Sequence, residues 1–207
     1  MDNSIAHAPR RTAGYWYADG LVEIGAGLLL ALMAGMFALE GLAPPGSLPA
    51  AFSAIGLPLI LLAGMAVLSG TVRVIKQRLT YPRTGYVGYE RSRPARKVLA
   101  GVIGGLVSLV LVLLLASRPA WLTALPAVQG AVVGLVLLFL SYRIGAWRLA
   151  AVGLLTLAAG IAASTVGLLE SLGSAMVFGT GGLASLISGA LALAHYLRTT
   201  SPPAEAG

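Results

Sequence analysis

Six stretches of this chain run for about twenty residues with few or no charges, near 20–42, 50–75, 98–116, 122–142, 147–169 and 174–197. A helix needs ~20 predominantly apolar residues to cross a hydrocarbon core of about 30 Å. In lipid, only a helix or a closed barrel satisfies every backbone N–H and C=O group. Composition agrees with helices in lipid: 57% of the 207 residues are hydrophobic and 10% are charged. A water-soluble domain of this length has no single core large enough to hide that much apolar surface. The expected fold is therefore all-α: a polytopic bundle of six transmembrane helices, with a tail at 1–19, a basic loop at about 76–97 and a tail at 198–207.

The segments between the runs are chemically suited to end helices. "GLAPPGSLP" (41–49) and "SRPAWLTALP" (117–126) carry prolines, and "ESLGS" (170–174) is a short link. Arg10 and Arg11 precede the first run as a basic leader would. That run, at 21–39, is nevertheless too long for a signal-peptide core and contains Glu23, so an uncleaved first membrane helix is expected.

Orientation follows from the positive charges. With six spans, thirteen of the fourteen Lys and Arg fall on the side that holds both termini, and Arg118 alone falls on the other. The termini are expected in the cytoplasm and the protein in the cell membrane. Between Arg73 and Lys97 the chain has eight Lys and Arg against one acid, Glu90. Such a surface attracts anionic lipids at about 1 kcal/mol per charge. Membrane lipids, anionic at the cytoplasmic leaflet, are the expected partners, and nucleic acid is not. In this loop Pro82 and Gly85 suit a tight turn. Tyr81, Tyr86 and Tyr89 suit the headgroup layer, beside Arg78 and Arg83.

Small residues supply helix packing where lipid removes the hydrophobic drive. Gly101 and Gly105 recur on the third run, Gly130 and Gly134 on the fourth, Thr156, Gly160 and Ser164 on the fifth, and Gly181, Ser185 and Gly189 on the sixth. Packing within the chain is their expected use; a homo-oligomer or a membrane-protein partner is the alternative. "FGTGG" (178–182) is a candidate break in the last helix, although glycine is also common in continuous membrane helices. "LSGTVRVIKQRLTYP" (68–82) and "ISGALALAHYLRTTSP" (187–202) share a Ser-Gly and a terminal proline. Too few positions match to infer a repeat.

Absences narrow the chemistry. Without cysteine, disulfides, thiolate metal sites and cysteine nucleophiles are excluded. With two histidines, His7 and His195, a multi-histidine metal site is not expected. No catalytic constellation, Walker-type loop or cofactor is expected. Asp19 and Glu23 are spaced to share a helix face, and ionisable groups at membrane depth are functional candidates. The structural reading has Asp19 capping the first helix and Glu23 paired with a basic residue of the cytoplasmic loop, with Arg83 the best candidate for either carboxylate. The functional reading makes Asp19, Glu23 and Arg83 a gate or ion-coupling site at the inner mouth.

"YWYADGLVE" (15–23), "RLTYPRTGYVGY" (78–89) and "LISGALAL" (186–193) together resemble a family of small uncharacterised bacterial multipass membrane proteins, and "YPRTGYV" is the most distinctive part of the likeness. The resemblance implies a bacterial cell-membrane location and no particular chemistry. Two functions fit these observations: a membrane accessory or regulatory protein with a lipid-facing basic loop, or a small permease or channel.

Overall fold

The computed structural model describes residues 17–44, 46–79 and 123–200. These form five helices: α1 (Leu21–Leu42), α2 (Leu48–Leu79), α3 (Leu125–Ile144), α4 (Trp147–Val166) and α5 (Glu170–Thr199). No strand occurs among the described residues. Four helices, α1, α3, α4 and α5, are long and apolar enough to cross a membrane. The third expected span at 98–116, with Gly101 and Gly105, lies outside the described residues. So do Tyr81, Pro82, Arg83, Gly85, Tyr86 and Tyr89. The protein is thus helical and suited to multiple membrane passes, with four candidate spans among the described residues rather than the six expected.

Helix ends follow local chemistry. Gly145 ends α3 and Gly167 ends α4, both with the left-handed backbone typical of a helix C-terminus. α2 continues through Lys76 and Arg78 to Leu79, so the first residues assigned to the basic loop are helical. No glycine or proline lies between Gly70 and Pro82 in the sequence, and cations in a last turn complement the helix dipole. α5 runs unbroken through "FGTGG", so the glycines there do not break the helix.

α5 is the central element. It packs on α1, α4 and α3, while α2 leans on α1 and α3 forms a hairpin with α4. α1 and α5 are antiparallel: Gly189 lies against Gly20 and Ile24, Gly182 against Gly27 and Ala31, and Gly41 against Leu172. Toward the end opposite Gly20, Phe37 stacks on Phe178 with ring centroids 5.4 Å apart. On the α3–α4 seam, a Cβ on Gly130 would come within 2.9 Å of the Gly160 Cα, and one on Gly134 within 2.7 Å of the Gly153 carbonyl. Backbones this close are possible only because the side chains are absent. Gly181 faces a different neighbour, Thr156 of α4. The similar Ser-Gly pairs of α2 and α5 also diverge: Gly189 is tightly enclosed, whereas Gly70 has nothing within 4 Å.

Polar and small groups therefore lie inside, and large apolar side chains point out. Thr156, Ser174 and Ser185 are buried, while Leu183, Ile187 and Leu191 are more than half exposed. No more than 39% of any of the four spans is buried within the protein. Such a surface suits lipid rather than water. Thr156 and Ser174 satisfy their hydroxyls on carbonyls four residues back. Ser164 of α4 accepts a hydrogen bond from the Ala127 N–H at 3.0 Å, satisfying one of the free donors in the first turn of α3.

Both ends of the described chain lie at one end of the bundle, and all six described cations lie there too: Arg73, Lys76, Arg78, Arg143, Arg148 and Arg198. The opposite end carries Glu40 and Glu170. Tyr142 and Trp147 stand 75% and 80% exposed at the basic end, where aromatic side chains mark a membrane interface. Arg143 lies over the Phe139 ring, 5.8 Å from its centroid.

Candidate functional site

The densest polar arrangement among the described residues is built on the turn that opens α1. Gly20 adopts a left-handed backbone with φ of 70° and lies against the Gly189 carbonyl of α5, where a Cβ would overlap that oxygen. Only glycine satisfies both demands. The turn places Asp19 just outside the helix. Its Oδ1 accepts the Leu21 N–H at 3.2 Å, satisfying one of the free donors of the first turn. Both carboxylate oxygens accept from Lys76 Nζ, at 2.8 and 2.7 Å. Asp19 is 0% and Lys76 1% exposed, so the pair is sealed between α1 and α2.

Glu23 forms the second pair. Its Oε1 accepts from Arg148 Nε at 2.7 Å, and its Oε2 accepts from Ser188 Oγ at 2.8 Å. Arg148 Nη2 donates to the Tyr17 carbonyl. Burial pushes the Tyr17 phenol above its ordinary range. One carboxylate thus joins α1 to the start of α4 and to α5. Glu23 is 3% exposed and Arg148 27%.

The expectation that Asp19 and Glu23 share a face does not hold. Four-residue spacing aligns side chains only within a helix, and Asp19 precedes α1 across a left-handed residue. The two carboxylates share an end of the bundle but turn to different partners, Asp19 to α2 and Glu23 to α4 and α5. Asp19 is expected to cap α1, but the cap position is held by Gly20, which has no side-chain bond, and Asp19 from the residue before reaches the Leu21 N–H. Glu23 takes its cation from the start of α4 rather than from the α2-side loop, because the α3–α4 turn reaches the same level. Arg83 lies outside the described residues, and Arg78 is exposed at the end of α2.

Lys76, Arg148 and Ser188 went unrecognised in the sequence. Arg148 carried a readable signal. A cation in the first turn of a helix opposes the dipole, and no acid near it in sequence compensates. A residue so placed needs a carboxylate from elsewhere in the fold. Ser188 carried none, since serine is common in membrane helices.

Two cavities flank Arg148. A groove of about 700 Å³ runs between α4 and α5, with Trp147, Arg148 and His195 at its basic end. A smaller cavity of about 320 Å³ lies at the α3–α4 turn, beside Tyr17, Gly145 and Arg148. Neither is lined by Asp19 or Glu23. Among the described residues, no group of three or more His, Asp or Glu is placed to hold a metal ion. The arrangement can hold four helices in register and present Arg148 to two cavities. Comparison of the chain with protein families, curated proteins and solved structures finds no match.

Proposed function

We propose that this chain is a six-span protein of the cell membrane, with its basic end in the cytoplasm, that acts as an accessory or regulatory component through its lipid-facing surfaces. One observation carries the reading. Both candidate gating carboxylates are buried, each is neutralised by a cation, and neither borders the two cavities. A carboxylate that binds and releases a transported ion needs a path for that ion. Asp19 and Glu23 behave instead as clasps.

The charge distribution supports the orientation. Basic residues are retained on the cytoplasmic side, and all six described cations share one end. The exposed Arg73, Arg78, Arg143 and Arg198 there would meet the anionic headgroups of the inner leaflet.

The test is flux through proteoliposomes containing the purified full-length chain, followed with proton- and potassium-sensitive dyes. Flux equal to that of protein-free liposomes is expected. Flux that requires the protein and disappears in a folded Glu23→Gln variant would replace this reading with a small permease or channel.

A further inference from the structure

The groove between α4 and α5 has the form of a lipid site. It starts at the basic end beside Trp147, Arg148 and His195 and extends along α5 to Thr180. Fifteen residues of helix span ~22 Å. One leaflet of hydrocarbon, half of a core of about 30 Å, is somewhat shorter. The groove therefore covers at least the depth of one leaflet and begins where a headgroup sits.

Its chemistry changes along its length in the same sense. Away from that end the lining is uncharged: Val152, Leu155, Ala184 and Ile187, with the hydroxyl residues Ser188 and Thr180. At the basic end, Arg148 uses Nε for Glu23 and Nη2 for the Tyr17 carbonyl. A guanidinium has five N–H donors, and at 27% exposure Arg148 turns part of that edge toward both cavities. The His195 ring lines the same end of the groove. The surrounding end of the bundle holds six cations against two carboxylates, Asp19 and Glu23, among the described residues. An anion is favoured there, and an uncharged chain is favoured below it.

We propose that this groove binds one anionic glycerophospholipid, its phosphate against Arg148 and His195 and one acyl chain along Val152, Leu155 and Ile187. The site rests on the membrane placement proposed above, and not on the choice between accessory and transport roles. It gives the protein a fixed lipid on a lateral face, in contact with the cation that clasps α1 to α4.

The test is native mass spectrometry of the full-length chain in detergent, titrated with phosphatidylglycerol or with phosphatidylcholine of the same acyl chains. One saturable phosphatidylglycerol per chain is expected. It should bind about 5-fold tighter than phosphatidylcholine, the ratio that ~1 kcal/mol for one surface cation supplies. Ala184→Phe fills the groove without touching either ion pair and should weaken both lipids about 10-fold, equivalent to ~1.4 kcal/mol. Ala151→Phe, from the exposed wall of α4, should do the same and serves if Ala184→Phe fails to fold. His195→Ala removes a contact to the phosphate that both lipids carry and should weaken both; unchanged binding of both lipids in the folded variant overturns the placement of the phosphate. Absence of saturable lipid, or unchanged binding in a folded groove-filling variant, overturns the site. So does a dimer that Ala184→Phe dissolves, which would assign the groove to a second copy of the chain. Loss of lipid binding with the basic end still cytoplasmic overturns this site alone; a reversed orientation overturns the placement on which it rests.

Discussion

Arg148→Met should destabilise the protein far more than Glu23→Gln, although each breaks the same ion pair. The asymmetry comes from burial: Glu23 is 3% exposed and Arg148 27%. Removing the arginine strands a carboxylate between α1, α4 and α5 with, among the described residues, only Ser188 Oγ to hold it. Stranding one partner of a buried pair costs about 3–5 kcal/mol. Removing the charge of Glu23 leaves a neutral amide whose carbonyl oxygen accepts from Arg148 and whose NH2 donates to the Ser188 hydroxyl oxygen, while the arginine turns its partly exposed edge to water. That change costs ~1 kcal/mol, the difference between a charge-assisted and a neutral hydrogen bond. The double variant Glu23→Gln/Arg148→Met carries no buried charge and should be more stable than Arg148→Met alone. For a chain of this size, 1 kcal/mol corresponds to ~2–4 °C in melting temperature. Thermal unfolding of the purified protein in detergent should therefore fall by about 6–20 °C for Arg148→Met and about 2–4 °C for Glu23→Gln, with the double variant above Arg148→Met. Equal losses for the two single variants would refute the reasoning, because burial would not then set the cost. So would a double variant whose loss equals the sum of the two, because no pair would be coupled.

The remaining predictions probe the other contacts. Lys76→Met should lower the melting temperature by a similar ~6–20 °C, since it strips both Nζ bonds from a fully buried Asp19. Gly189→Val should destabilise by about 1–3 kcal/mol, because its Cβ would sit 2.7 Å from Ile24 N and 2.8 Å from Gly20 O. Gly35→Ala, inside α1 with nothing within 4 Å, should instead stabilise by about 0.5–1 kcal/mol in the same melt, the helix preference of alanine over glycine. The chain lacks cysteine, so single cysteines report topology directly. A thiol at Leu48, 87% exposed at the end opposite the cations, should react with a membrane-impermeant maleimide added to intact cells, and one at Arg198 should not.

How much of this was legible in the sequence depended on how local each signal is. The apolar runs foretold α1, α3, α4 and α5 within a few residues, because length and hydropathy are properties of a single segment. The small-residue pattern located Gly130, Gly134, Gly160 and Gly189 on helices, but not their partners. Four-residue spacing on α5 grouped Gly181 with Gly189. In the structure Gly181 faces Thr156 on α4, whereas Gly189 faces α1 together with Gly182. A helix buried between two neighbours uses two faces, and a single stripe in the sequence does not separate them. Asp19 and Glu23 were identifiable as unusual because charge at membrane depth is rare. Their partners were not, since Lys76 and Arg148 lie 57 and 125 residues away in sequence and one left-handed glycine redirects Asp19.

The glycine seam and the ion pairs form one device rather than two. Gly20 and Gly189 meet backbone to backbone, and Ser188 is the neighbour of Gly189 on α5. That contact brings the Ser188 hydroxyl within 2.8 Å of Glu23. A larger residue at either glycine would push α5 away from α1 and draw the serine out of hydrogen-bond range. Glu23 also holds Arg148, and Arg148 holds the Tyr17 carbonyl at the start of the same turn. The turn that requires glycine is therefore tied at both sides by the arginine it helps to place. A buried carboxylate is costly in a membrane unless it is paired and hydrogen-bonded, and close packing of small residues does not by itself choose a register. Here the cost of leaving Glu23 unsatisfied sets the register of α1, α4 and α5, and the glycines make that register sterically possible.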